Sequence, residues 1–376
     1  MRDDERDALK ESGYCEDGNN PVTCLLCKKR EGQEGESTQQ EKKVGQAKGL
    51  LESIGGTIDV AVRPFKQFDK KRHERFFIQK GELNGRAVVF KVGETASADR
   101  LRDESRNMKL LETAQSGLER PLDIYIVRQV GEAFADDAMT GLATEYLKDD
   151  PSLKAELSAD QKIQVIGRVI DNVQKLPVSD EVLRTSGLDV HDAQKISSDG
   201  EYFSSVLEEQ GFFNSELAEK LKEVFRSVQT DLQDEQPVFV HGDAHGDNIF
   251  LKRGENGNTE VSLLDIEGLR ISNRYHDWSE ILNKAVFLQH LERTQPDLYA
   301  PIEGNVKNMW LDSGVPFEED AIIQQVTGGD ESQARNFRVT RIYDMLTRIM
   351  AGRDSTHPLQ KVRTELYRDL IKKELE

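Results

Sequence analysis

An aspartate at position 243 stands five residues before an asparagine, Asn248, and a second aspartate, Asp265, follows 22 residues after the first. Apolar runs lead into both acids: Val238-Phe239-Val240 before one, Val261-Ser262-Leu263-Leu264 before the other. Strands that end on acidic residues hold carboxylates rigidly at the rim of a site. One carboxylate can accept a hydroxyl proton, while an amide oxygen and a second carboxylate hold Mg²⁺ against the phosphates of a nucleotide. These are the parts that phosphoryl transfer needs, in the chain order in which kinases carry them.

The run His241-Gly242-Asp243-Ala244-His245-Gly246-Asp247-Asn248, with Asp265-Ile266-Glu267 downstream, closely resembles the aminoglycoside phosphotransferase and choline kinase superfamily. The resemblance implies an α+β, two-lobe protein-kinase-like fold. A small antiparallel-sheet N-lobe with one main helix would precede a larger, mainly helical C-lobe. It implies Asp243 as the catalytic base, Asn248 and Asp265 as metal ligands, and ATP with Mg²⁺ as cofactors, with GTP left open as the nucleotide. His241 and Asp277, the latter in Asp277-Trp278-Ser279-Glu280, would brace the loop. Ile266 occupies an apolar slot where the family usually has an aromatic residue.

Other chemistries compete for the same octapeptide. Gly242-Asp243-Ala244-His245-Gly246 matches the first metal-binding motif of metallophosphatases. Those enzymes also need a Gly-Asn-His segment downstream; here only His276, His290 and His357 follow His245, and no such segment exists. A His-x-His-x-Asp-His zinc cluster fails because position 243 is Asp and position 246 is Gly. A nucleotide- or partner-binding pseudokinase is a further alternative, against which stand the intact Lys91, Asp243, Asn248 and Asp265.

The elements upstream should position a lysine for the nucleotide phosphates and a glutamate to orient it. Residues 75–83 read as a strand, Asn84-Gly85 as a two-residue hairpin turn, and Arg86-Ala87-Val88-Val89-Phe90-Lys91-Val92 as the return strand. Lys91 is the candidate lysine. Ser97 reads as the N-cap of a helix with Leu101, Met108 and Leu111 on one face and Glu104 as the candidate glutamate. The stretch 64–74, which should cover the phosphates, contains no glycine. Residues 123–130 and 141–147 read as further strands of the N-lobe. The second leads into Lys148-Asp149-Asp150-Pro151, the place for an interlobe linker, and the resemblance assigns base contacts to Glu145, Tyr146 and Leu147.

Beyond the linker, Ile163, Ile166, Ile170 and Val173 repeat at helical spacing, as do Leu217, Leu221, Val224, Val228 and Leu232. Such stripes pack cores. After Asp277, breaks at Pro296, Pro301, Gly314-Val315-Pro316 and Gly328-Gly329 punctuate amphipathic segments, as in a helical lobe carrying a substrate pocket.

The 376 residues suit one catalytic unit: a tail over 1–45, an N-lobe over 46–148 and a C-lobe over 149–376. The tail is polar and interleaved in charge, a composition that favours disorder, and it holds all three cysteines, Cys15, Cys24 and Cys27. Cys24 and Cys27 have zinc-knuckle spacing but no histidine precedes His73, so reduced thiols are the expectation. With no apolar stretch able to span a bilayer and a charged opening Met-Arg-Asp-Asp-Glu-Arg-Asp, the chain reads as cytoplasmic. A net charge of −18 disfavours nucleic acid as a partner and suits a small, cationic hydroxyl acceptor such as an aminoglycoside or amino alcohol.

Overall fold

The computed structural model describes residues 42–59, 76–94, 98–232 and 235–375. The cysteines, the glycine-free stretch 64–74 and Ser97 lie outside the described residues. Two compact units make up the chain, one of residues 1–102 with 129–146, the other of 103–128 with 147–376. The segment 103–128 thus belongs with the larger unit, although the sequence reading placed it in the N-lobe.

The smaller unit is a five-stranded antiparallel sheet in the order β1-β2-β3-β6-β5, made of β1 (Gly56–Ile58), β2 (Phe76–Leu83), β3 (Arg86–Glu94), β5 (Phe134–Ala135) and β6 (Met139–Glu145). Asn84 and Gly85 take φ of 52° and 76°, the conformation that lets a two-residue turn follow the strand twist. Alternation along β3 sends Val88, Phe90 and Val92 to one face. There they join Ala47, Leu50 and Leu51 of a helix over residues 42–53 (α1) in a closed apolar cluster. Lys43 of that helix pairs with Glu94 at 2.7 Å. The helix therefore starts within the stretch whose composition reads as tail. Its apolar face, not its propensity, holds it in place.

Residues 123–130 do not form a strand of this sheet. Only Tyr125–Ile126 (β4) is extended, and it pairs in parallel with β10 (Thr259–Leu263) of the larger unit. Gln129 makes an isolated bridge to Thr144. The alternating apolar pattern there serves two neighbours in turn, which periodicity alone does not distinguish.

In the larger unit β4, β10 and β9 (Ile249–Arg253) form one three-stranded sheet, and β7 (Val190–His191), β11 (Arg270–Ser272) and β8 (Val238–Val240) another. Around them lie α3 (Ala159–Gln174), α4 (Ala193–Glu209), α5 (Ser215–Asp231), α6 (His276–Thr294), α7 (Glu331–Gly352) and α8 (Pro358–Leu375). A further helix, α2 (Ala98–Ser116), carries Leu101, Met108 and Leu111, all buried. Ser158 and Gln161 close a reciprocal capping box on α3, and Asn214 caps α5 through the amide of Leu217. The helical stripes bury Ile166, Ile170, Val173, Leu217, Leu221 and Val228 as expected. Among the described residues no helix is long and apolar enough to cross a membrane.

Candidate active site

Strand β8 delivers the chain into the loop 241–248, and three anchors fix that loop. Asp277, in the first turn of α6, accepts the amides of His241 at 3.1 Å and Gly242 at 2.8 Å. Burial pushes its carboxyl up; the two amides and the charge of Arg270 offset only part of that rise. His241 uses both ring nitrogens, Nδ1 accepting from Asp243 N–H at 3.2 Å and Nε2 donating to Leu264 O at 3.0 Å. That pair of contacts selects the Nε2–H tautomer. Gly242, at φ 78°, comes so close to the 266–269 turn that a Cβ would meet Gly268 O at 2.5 Å.

The β9–β10 hairpin brings Asn248 and Asp265 together across the 16 residues between them. Ile249 pairs with Leu263, so Asn248 falls opposite Leu264, whose amide donates to Asn248 O at 2.9 Å. Asp265 follows directly at φ 52°, a left-handed conformation that aspartate tolerates better than most residues. On the other side of that turn Asn107 of α2 donates to Ile266 O at 2.9 Å. Ligand atoms of Glu104, Asp265 and Glu267 then lie within 4.8 Å of one another. Glu104, which the sequence reading paired with Lys91, lies beside the second acidic motif. Glu267 belongs to the quoted motif but carried no role in the sequence reading.

Asp243 is half-exposed, and donors reach both of its oxygens. Lys284 Nζ lies 2.9 Å from Oδ1, while His245 Nε2 and Asn248 Nδ2 lie 3.2 Å and 3.3 Å from Oδ2. Burial acts to raise its carboxyl pKa, but the His245 hydrogen bond and the Lys284 charge outweigh it and hold the group well below the usual carboxylate range. Asn248 Nδ2 also donates to Asp243 O at 2.9 Å. With its nitrogen so committed, the amide turns Oδ1 the other way, the atom a hard cation takes.

An all-oxygen set of Asn248, Asp265 and neighbouring carboxylates fits Mg²⁺ rather than a soft metal. Glu104, Asp265 and Glu267 could contribute carboxylate oxygens to such a set. The cluster of His276, Glu280 and Asp344 does not fit a metal. Arg270 and Arg348 hold the two oxygens of Glu280 at 2.7 Å and 2.6 Å, and Arg348 with Asn283 holds Asp344.

Lys154 donates to Gly246 O at 3.2 Å and pairs with Asp149 at 2.9 Å, so the polar stretch after the linker also secures the loop. In the smaller unit, Lys91 lies on the face of β3 opposite the apolar cluster, largely buried, with Nζ 4.8 Å from the ring centre of Phe76. Glu145 ends β6, and Tyr146 gives its amide to Ala87 O, which continues the β3 pairing by one residue. Leu147 begins the next segment of the larger unit.

Sequence reasoning missed Lys284 and Asn107. Lys284 is 41 residues from the carboxylate it meets, and no motif marks a helix lysine as its partner.

A sequence model of the phosphotransferase enzyme family matches residues 65–299. No curated protein sequence matches the chain. Among solved structures, the ADP-bound aminoglycoside phosphotransferase APH(2'')-Ib is 15% identical, with a TM-score of 0.51 over 85% of this chain and 95% of its own. A ternary complex of APH(4)-Ia with ADP and hygromycin B is 11% identical, with a TM-score of 0.51 over 87% of this chain and 98% of its own. A protein from Haemophilus somnus 129PT described as a fructosamine-3-kinase is 12% identical, with a TM-score of 0.50 over 91% of this chain and 99% of its own. At these identities the likeness establishes the kinase-like fold. The chain belongs to the phosphotransferase enzyme family.

Proposed function

We propose that the protein transfers the γ-phosphoryl group of ATP, with Mg²⁺, to a hydroxyl group of a small molecule. The observation that carries the reading is the loop itself: the Asn248 amide donates to the Asp243 carboxylate at 3.3 Å and to the Asp243 backbone oxygen at 2.9 Å, and a hairpin registers Asn248 against Asp265. In this reading Asp243 orients the acceptor hydroxyl and takes its proton. Asn248 Oδ1 and the Asp265 carboxylate hold Mg²⁺, which when bound neutralises charge on the phosphates. Lys91 meets the phosphates and Glu104 orients it, while the chain at Glu145, Tyr146 and Leu147 borders the base. Tyr146 N–H is already committed, so its amide is not among the base contacts.

The net charge of −18 and the hygromycin B held by one fold relative favour an acceptor with amines, of the aminoglycoside or amino-alcohol kind. Such an acceptor must keep those amines away from Lys284. The metal assignment is tested by titrating nucleotide into two variants. Asp265 supplies a full charge and Asn248 a neutral oxygen, so Asp265→Ala should weaken Mg²⁺-dependent ATP binding more than Asn248→Ala. Binding that ignores both Mg²⁺ and Asp265 would refute the reading.

A further inference from the structure

Asp243 has room for a hydroxyl with its donors in place. Its side chain is 42% exposed, and Lys284, His245 and Asn248 leave part of the carboxylate open. Lys284 differs in kind from the other two donors. His245 and Asn248 belong to the loop, whereas Lys284 projects from the middle of α6, 41 residues further on. One turn earlier on the same helix, Glu280 would be its natural partner, but Arg270 and Arg348 already hold both oxygens of that carboxylate. The ammonium goes to Asp243 instead, its one hydrogen-bond partner among the described residues. A lysine ammonium carries three N–H donors, and a single one of them meets Oδ1 at 2.9 Å. With 26% of the side chain accessible, the others face the open edge of the site.

On the reading of Asp243 as the base, we propose that Lys284 is a catalytic residue, whose ammonium bridges the Asp243 carboxylate and the phosphoryl group being transferred. In that step the acceptor oxygen forms a bond to the γ-phosphorus as the bond from phosphorus to the bridging oxygen of ADP breaks. The bond pair leaves with ADP, and the hydroxyl proton passes to Asp243. Carboxylate and phosphoryl oxygens are then anions at close range. A hydroxyl in contact with Asp243 and aligned for attack puts the phosphoryl oxygens roughly 4–6 Å from the carboxylate. Two oxygens that share one tetrahedral ammonium at ordinary hydrogen-bond lengths stand about 4.7 Å apart, inside that range. Lys284 thus keeps its contact with Asp243 and gives a second N–H to the phosphoryl group. As the phosphoryl group moves from ADP to the acceptor oxygen it moves toward the ammonium, so the contact is stronger in the transition state than in bound ATP.

The test needs no acceptor. The full chain is titrated with ADP and Mg²⁺, with and without aluminium fluoride, which takes the place of the transferred phosphoryl group beside ADP. Calorimetry reads the dissociation constants. Fluoroaluminate should tighten ADP binding to the wild-type chain at least about 10-fold. Lys284→Gln should bind ADP alone within about 3-fold of wild type, which reports an intact fold, and should lose all but about 3-fold of the gain. Lys284→Arg should restore part of it. Asp243→Asn removes the carboxylate charge and leaves the ammonium, so it should keep the gain; a lysine that merely positioned Asp243 would lose it there as well. No gain in the wild-type chain, an undiminished gain in Lys284→Gln, or an equal loss in Asp243→Asn would each overturn the proposal. A wild-type chain that does not bind ADP with Mg²⁺ would refute the phosphotransferase reading itself, an outcome distinct from a missing fluoroaluminate gain.

Discussion

At the scale of single residues, the sharpest part of the proposal is Asp243 as the base. Asp243 stays ionised because His245 and Lys284 hold its carboxyl low. On the proposed function, a carboxylate so stabilised is a weak proton acceptor in the resting protein, and it would orient the hydroxyl and receive the proton late, as charge leaves with the phosphoryl group. Asp243→Asn keeps the shape and the Asn248 contact but removes the proton acceptor. Its kcat should fall by roughly 10²–10⁴ with ATP affinity within a few-fold of wild type. Near-normal turnover in that variant would remove Asp243 from the mechanism. The residues of this site were legible to different degrees. The closeness of Asp243, Asn248 and Asp265 could be read from spacing and from the apolar runs before the two acids, because one short loop joins the first two and a hairpin brings in the third. Lys284 and Asn107 could not, because long-range packing of α6 and α2 delivers them and leaves no local signal.

At the scale of elements, the loop depends on turns that only certain residues permit. Gly242 combines φ 78° with a backbone oxygen 2.5 Å from where a Cβ would sit. Gly242→Ala should destabilise the fold by about 2 kcal/mol or more and depress turnover further than the stability loss explains. Denaturant midpoints with matched kinetics measure both, and a variant equal to wild type in each would contradict the account of the loop. Strands and helices with one neighbour on each face were legible: β2, β3, α3 and α5 follow their periodicity. The segment 123–130 was not, since β4 joins β10 and Gln129 joins Thr144 within a few residues. Helix α1 was hidden too, because its apolar positions, Ala47, Leu50 and Leu51, are sparse in a polar stretch and acquire meaning only against Phe90 and its neighbours.

At the scale of the whole molecule, the buried polar groups of the larger unit tie stability to pH. His276 is fully enclosed, and burial, then the charges of Arg270, His191 and Arg348, push its imidazole well below the ordinary value. The folded chain keeps it neutral, whereas the unfolded chain protonates it below a pH of about 6.5. Stability is therefore full above that pH and falls as pH drops below it. Urea midpoints between pH 7.5 and 5 should decline, and His276→Asn should flatten part of that slope; an unchanged slope would contradict it. The central claim is that this fold, loop and metal set transfer phosphate. Its most direct measurement is the Mg²⁺-dependent appearance of label from [γ-³²P]ATP in an acid-stable phosphate ester, with hydroxy acids, phosphorylated alcohols, amino alcohols and aminoglycosides offered as acceptors. The account predicts label in an organic ester for the wild-type chain, reduced at least about 100-fold in Asp243→Asn. No ester from any acceptor together with nucleotide binding indifferent to Mg²⁺, or equal labelling by Asp243→Asn, would contradict it.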